Sequence, residues 1–185
     1  MGRNDTKEML FEAYKELGKK KTLDKITVRE ICVKCGVTTQ TFYNHFSDKY
    51  DMILWNHRKR VDELAEKYID GSETFEEVLS RYVFGFIKYA DFVINAYRST
   101  VGQDSYMTKS TGYLADKIKE IIRKLAETES LPEEIDFFIE MYSISLSAMI
   151  AKWIVTGRTM PPQKLVDLLI EAAPPQLKEY VTDNT

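Results

Sequence analysis

Apolar residues recur along this chain at helical spacing, and Gly, Pro and Ser/Thr/Asp signals separate the runs, so the pattern predicts helices throughout and no strand. The first run carries Met9, Leu10, Ala13, Tyr14 and Leu17. A second helix should start at Val28, where Thr27 and Glu30 form a capping box and Ile26 with Ile31 can close a hydrophobic staple around it. Ile31, Cys32 and Cys35 fall at apolar spacing, and Gly36 stops the helix where a left-handed residue turns the chain sharply. Beyond the turn Thr38 can cap a short helix whose Phe42 and Phe46, four apart, point back to the same core. Ser47-Asp48 opens a long helix that runs to about Tyr68 and breaks at Asp70-Gly71-Ser72. Thr74 with Glu77 makes another capping box, opening a helix with Phe75, Val78, Leu79, Tyr82, Phe86 and Tyr89. A short helix from Asp91 to Arg98 and another from Tyr113 to Glu127 follow, and Ser130-Leu131-Pro132 interrupts the series.

The helix from about Glu133 to Thr156 is apolar on two sides. Ile135, Phe138, Ile139, Tyr142, Leu146, Met149, Ile150 and Trp153 keep the spacing of one buried face, and Ile144, Ser147, Ala148, Ala151 and Val155 make a second, smaller one. After Gly157 and Pro161-Pro162, Lys164 to Ala173 repeats the theme with Leu165, Leu168, Leu169 and Ala172. A helix apolar nearly all round in so small a chain calls for a partner chain as well as a core. Ile144, Ala148, Ala151, Val155, Leu165 and Leu169 are therefore the expected contact between two copies; the alternative buries both helices inside one domain. Lys178 to Thr185 reads as a weakly ordered tail.

The two-helix turn over residues 26–46 carries the chemistry. At about 100° per residue, Gln40, Thr41, Tyr43 and Asn44 face away from Phe42, toward water or a ligand. Gln and Asn amides can pair bidentately with adenine, and Thr can bond a base edge or touch a thymine methyl. Tyr43, His45 and Lys49 suit phosphate better. Helix-turn-helix docking sets the start of the second helix on base edges, which favours Thr38, Thr39 and Gln40 as readers. A solvated polar helix in an ordinary bundle is the plain alternative.

The run from Thr27-Val-Arg-Glu-Ile through Cys-Gly-Val-Thr-Thr-Gln-Thr-Phe-Tyr-Asn-His-Phe-Ser-Asp-Lys49 resembles the DNA-binding domain of the TetR family of bacterial transcription regulators, over about residues 5 to 60. The resemblance implies that Arg29, Thr38, Thr39, Gln40, Thr41, Tyr43, Asn44, His45 and Lys49 sit at the DNA, with Tyr43 and Lys49 gripping phosphates. It also implies a homodimer paired through the last two long helices. Cys32 and Cys35 depart from the pattern, standing where the family usually has small residues such as Ala. The Phe42-Tyr-Asn-His-Phe46 run with Trp153-Ile-Val-Thr-Gly157 further resembles a Gram-positive subgroup that includes the dihydroxyacetone-kinase operon activators, whose signal is a partner protein rather than a free metabolite.

Composition sharpens this picture. With 185 residues, 44% hydrophobic and 30% charged, the chain can hold one or two small domains with a real core. Neither a run of about 18 apolar residues nor a secretion signal is visible, so the expected location is the cytoplasm, with no membrane partner. The net charge of −3 hides an asymmetry: through residue 60 there are 13 Lys or Arg against 8 Asp or Glu, a net +5, and the remainder is −8. The basic end carries the motif, as phosphate contact and counterion release require. The middle is rich in aromatics, and Tyr82, Phe86, Tyr89, Tyr113, Phe138 and Tyr142 are candidates to line a pocket for a small, partly polar effector. Cys32-Val-Lys-Cys35 has redox or half-zinc-site spacing, but no second pair exists and the only histidines are His45 and His57, so packing is the expected role and no metal or cofactor is expected. Phosphate-loop, zinc-protease and nucleophile-elbow motifs are absent, and no enzyme is expected.

The expected architecture is all-α. A three-helix DNA-binding head with a helix-turn-helix occupies residues 1–48, and a helical effector-binding and dimerising bundle occupies residues 49–185. The expected partners are double-stranded DNA with a palindromic operator, a second copy of the chain, and a small molecule or partner protein as effector. The competing reading is a helical protein-interaction module whose polar motif helix docks another protein.

Overall fold

The computed structural model describes residues 3–22, 25–87, 90, 94 and 106–181. Among them the chain forms nine helices and no strand: α1 (Arg3–Gly18), α2 (Val28–Cys35), α3 (Thr39–Tyr43), α4 (Lys49–Ile69), α5 (Phe75–Ile87), α6 (Tyr106–Leu125), α7 (Glu133–Val155), α8 (Pro162–Glu171) and α9 (Pro175–Val181). The expected short helix over residues 91–98 lies outside the described residues, apart from Ile94.

Two apolar cores are strung on α4. The first gathers Leu10, Phe11 and Tyr14 of α1, Ile31 and Cys32 of α2, Phe42 of α3, Phe46, and Met52 and Ile53 from the start of α4. The second gathers Val61 of α4, Leu79 and Val83 of α5, Ile122 of α6, and most of the buried faces of α7 and α8. Helix α4 packs on α5 and α6, α6 on α7, and α5 on α8. Seven residues of α6 precede its expected start at Tyr113, and its first residue, Tyr106, reaches across to pack on the head core.

The structure corrects the expected interface. Leu165 and Leu169 are 2% and 5% exposed within a single protomer, and Ala151 is buried as well. The apolar surface of Leu165 and Leu169 is used up in the body core with α5 and α7, so they have none left for a second copy. Ile144, Ala148 and Val155 do face outward. The expected tail is also helical as far as Val181, because Pro175 starts α9 and Leu177 is fully buried in the body core. Helix α7 is long and apolar enough, by length and composition, to cross a membrane; 44% of that window is buried inside the protein, and Tyr142 and Trp153 tie it to α8 and the loop before it.

Candidate nucleic-acid interface

The motif is held by local chemistry. Thr27 Oγ1 accepts from the Glu30 amide at 3.2 Å while Glu30 Oε2 accepts from the Thr27 amide at 2.8 Å, closing the capping box at the start of α2. Lys21 ion-pairs with the same carboxylate, and these bonds, the Lys21 one first, hold the Glu30 carboxyl down to about 2. At the other end Gly36 takes φ +69°, and the Val37 amide donates back to the Cys32 carbonyl at 3.0 Å. The turn then delivers Thr38, whose Oγ1 accepts from the Thr41 amide at 3.1 Å and caps α3.

Phe42 and Phe46 are buried and fasten α3 to α1 and α4. Helical spacing then turns the opposite side outward: Thr38, Thr39, Gln40, Tyr43 and Asn44 are exposed, Tyr43 by 56%, and Arg29 is exposed on α2. Gln40 Nε2 donates to Asn44 Oδ1 at 3.0 Å, so two amides stand side by side one turn apart. Thr41 is half-buried, its hydroxyl 2.9 Å from that of Thr38. His45 is half-buried too, and Lys49 donates to the Ile26 carbonyl at 2.9 Å, staking the start of α4 to the strut before α2. Of the nine expected DNA residues, the structure thus brings six onto an open face and leaves Thr41, His45 and Lys49 partly engaged within the head.

Cys32 is buried and Cys35 half-buried, with Cys35 Sγ 3.4 Å from the Met9 carbonyl. Burial raises both thiols, the opposite of what a reactive pair needs. No cluster of three or more metal-ligating side chains occurs among the described residues.

Head and body meet around His57 of α4, which sequence reasoning passed over. It is buried, its ring Nε2 donates to the Ser110 carbonyl of α6 at 3.2 Å, and burial pushes its pKa down to about 4, so the ring is neutral. The Tyr82 and Tyr106 rings stand edge-on to it at 6.2 and 6.0 Å. Arg60, one turn on, donates to the Tyr82 carbonyl at 3.3 Å and lies over the Phe86 ring. Gly85 makes that approach possible, since a Cβ there would fall 1.8 Å from Arg60 Nη2.

Two cavities flank this junction. The smaller, about 30 Å³, is lined by His57, Tyr82, Phe86, Tyr106 and Ser110 with residues of α7. The larger, about 80 Å³, lies deeper in the body between α4, α5, α6, α7 and α9, with Tyr82 and Tyr142 in its wall. Phe86 therefore belongs to the smaller cavity. Tyr113 and Phe138 line neither: Tyr113 donates to Asp62 at 2.6 Å, joining α6 to α4, and Phe138 packs at the edge of the body core. Tyr89 lies outside the described residues. The wall residues Leu177 and Tyr180 escaped notice because they sit in a segment of only seven helical residues, although Pro174-Pro175 was a usable start signal.

Comparison with known proteins fits this geometry. The model of bacterial regulatory proteins of the tetR family matches residues 10–54, and a model described as a transcriptional regulator C-terminal region matches residues 73–174. The chain is a DNA-binding transcriptional regulator, and it belongs to the TetR family. Among solved structures, the dihydroxyacetone kinase operon activator DhaS superposes with TM-score 0.68 at 15% identity over 94% of this chain and 97% of that one. A TetR regulator from Rhodococcus sp. RHA1 gives 0.63 at 18% identity, covering 94% and 100%. Thermus thermophilus FadR, a TetR family repressor solved with lauroyl-CoA, gives 0.64 at 18%, covering 89% and 91%. No curated protein matches the chain in sequence.

Proposed function

We propose that this regulator acts as a cytoplasmic homodimer in which residues 1–48 read a roughly palindromic operator and residues 49–185 hold the dimer and respond to an effector. The observation that carries the reading is the outward face of α3: Thr38, Thr39, Gln40, Tyr43 and Asn44 stand open on a helix whose other side is locked by Phe42 and Phe46. Thr38, Thr39 and Gln40 meet base edges, Asn44 supports Gln40, and Arg29 and Tyr43 take phosphates. Lys49 joins the phosphate contacts by leaving the Ile26 carbonyl, and His45 lies between it and α3.

Helix α4 is the proposed lever. It contributes Met52 and Ile53 to the head core and Val61 and Leu64 to the body core, so a change in the body that tilts it moves the head. An effector that fits one spacing of the two heads better than another shifts the population toward that spacing. The effector is a small molecule in the body, or a partner protein as for the operon activators this chain resembles. No catalytic step is assigned.

Selection from a random duplex library by the purified protein, with competitor DNA present, tests the reading. Enrichment of an inverted repeat, with binding that weakens steeply as salt rises, is the expected outcome. Folded protein that enriches no sequence, yet captures another protein through α3, would favour the interaction module instead.

A further inference from the structure

We propose that the 80 Å³ cavity between α4, α5, α6, α7 and α9 takes an uncharged, hydrocarbon-rich ligand, and not the partly polar molecule that its tyrosines suggest from sequence. This rests on the reading of the body as effector-responsive. Three of the four tyrosine hydroxyls of the wall are already committed. Tyr142 donates to the Leu169 carbonyl at 2.7 Å, Tyr68 donates to the Tyr180 carbonyl at 2.5 Å, and the Tyr180 hydroxyl is engaged with Glu179. Tyr82 turns its ring edge-on to His57 and shares its surface with the smaller cavity.

Lys117 is the one charged residue in the wall among the described residues, and it is held by Asp62 at 2.9 Å and Glu120 at 2.7 Å. Two carboxylates already neutralise that ammonium, so an incoming carboxylate meets a site whose net charge is negative, and no carboxylate lines the wall to receive an ammonium. A ligand polar group carried to the floor away from the Tyr82 hydroxyl would lose its water and gain no partner, which weakens binding by roughly tenfold or more per group. The rest of the wall is carbon. Buried Val61, Ala65, Leu79, Leu114, Leu146 and Leu177 make the floor, and half-buried Leu64, Phe75, Val78, Ile118 and Ile121 make the rim.

Size narrows the class further. The cavity's 80 Å³ is about half the ~150 Å³ that accommodates benzene in an apolar site, so the floor holds a few carbons and a longer hydrocarbon continues out through the rim. Val61, Leu64, Ala65 and Tyr68 are one continuous face of α4, so filling the cavity presses on the helix that leads to the head.

Full-length protein labelled at Leu and Ile methyls is titrated with cyclopentane, n-pentylamine and sodium pentanoate in the absence of DNA. The expected result is a saturable shift of the Leu79, Leu114, Leu146 and Leu177 methyls with cyclopentane, and at least tenfold weaker binding of both charged compounds. Filling the floor by Ala65→Leu should weaken cyclopentane at least tenfold; Ile118→Phe at the half-buried rim does the same job should the first variant fail to fold. Equal affinity for pentanoate or pentylamine, shifts confined to other methyls, no saturable shift, or undiminished binding in a folded filled variant would overturn the proposal. Because the titration contains no DNA, failure of operator selection would sink the proposed palindrome-reading dimer and leave this result standing.

Discussion

Thr38 has one hydroxyl and two uses for it. The oxygen caps α3 through the Thr41 amide and lies 2.9 Å from the Thr41 hydroxyl, so a base contact must be added to the cap and not exchanged for it. Thr38→Ala should therefore lower stability by about 1 kcal/mol as well as weaken operator binding, whereas Gln40→Ala should spare stability. Gln40 is the cleaner probe, because its amide bonds Asn44 on the surface and no other described residue. Its loss should reduce affinity for the selected operator by about 1–3 kcal/mol, with little change on random duplex; fluorescence anisotropy on both DNAs reads the difference. Equal losses on the two would assign Gln40 to phosphate. The capping box makes a prediction of another kind. Glu30 sits near 2 in the fold and near 4.3 when unfolded, so its contribution is fully present above about pH 4 and disappears as pH falls through 2. Glu30→Gln should lower the melting temperature at pH 6, and the difference from the parent protein should shrink as pH falls toward and through 2.

Among the helices, α4 carries both the allosteric argument and the clearest acid sensitivity. His57 is neutral in the fold with its pKa near 4, while an unfolded histidine titrates near 6.5. Between those values the unfolded chain binds the extra proton, so stability falls as pH drops from about 6.5 to 4, by on the order of 3 kcal/mol, and levels off below. Thermal melts across pH 4 to 7 should show this slope in the parent protein and a flatter one in His57→Phe; identical slopes would move the acid sensitivity elsewhere. His57 also marks the limit of what the sequence discloses. The helix-turn-helix was readable because its signals are local: Thr27 with Glu30, Gly36, Thr38, and Phe42 with Phe46 all lie within one turn of what they fix. The inner face of α7 was readable from its period, apart from Met149, which is 45% exposed. His57 gave no sign because its partners, Ser110 and Tyr106, are about fifty residues away and no spacing rule connects them. Leu165 and Leu169 were misassigned for a related reason. An apolar stripe announces burial without saying which surface covers it, and here α5 and α7 of the same chain do so. The aromatic middle misled in the same way, since Tyr113 spends its hydroxyl on Asp62 and not on a cavity.

At the scale of the whole molecule, the surface left over after folding points to a second copy. Phe137, Met141, Ile144, Ala148 and Val155 lie at i, i+4, i+7, i+11 and i+18 along α7, which brings all five within a narrow stripe. They are exposed, Phe137 by 63% and Ile144 by 59%, and Leu168 of α8 adds a further 39% exposed side chain. A monomer would leave that row of apolar carbon in water, whereas two copies related by a two-fold axis can lay one stripe against the other. Ile144 sits in the middle of the row and touches no core cluster, so Ile144→Glu should leave the protomer folded while burying a carboxylate in the joint. Light scattering coupled to gel filtration should then give a mass near twice the chain's 21.5 kDa for the parent protein and near that value for the variant. The operator experiment follows from the same geometry. One head reaches one half-site, so the variant should bind the full inverted repeat no better than a single half-site, while keeping its preference for that half-site sequence. A variant that stays dimeric would shift the interface to another surface, and one that becomes monomeric yet holds the full operator at parent affinity would show that the two heads read DNA independently.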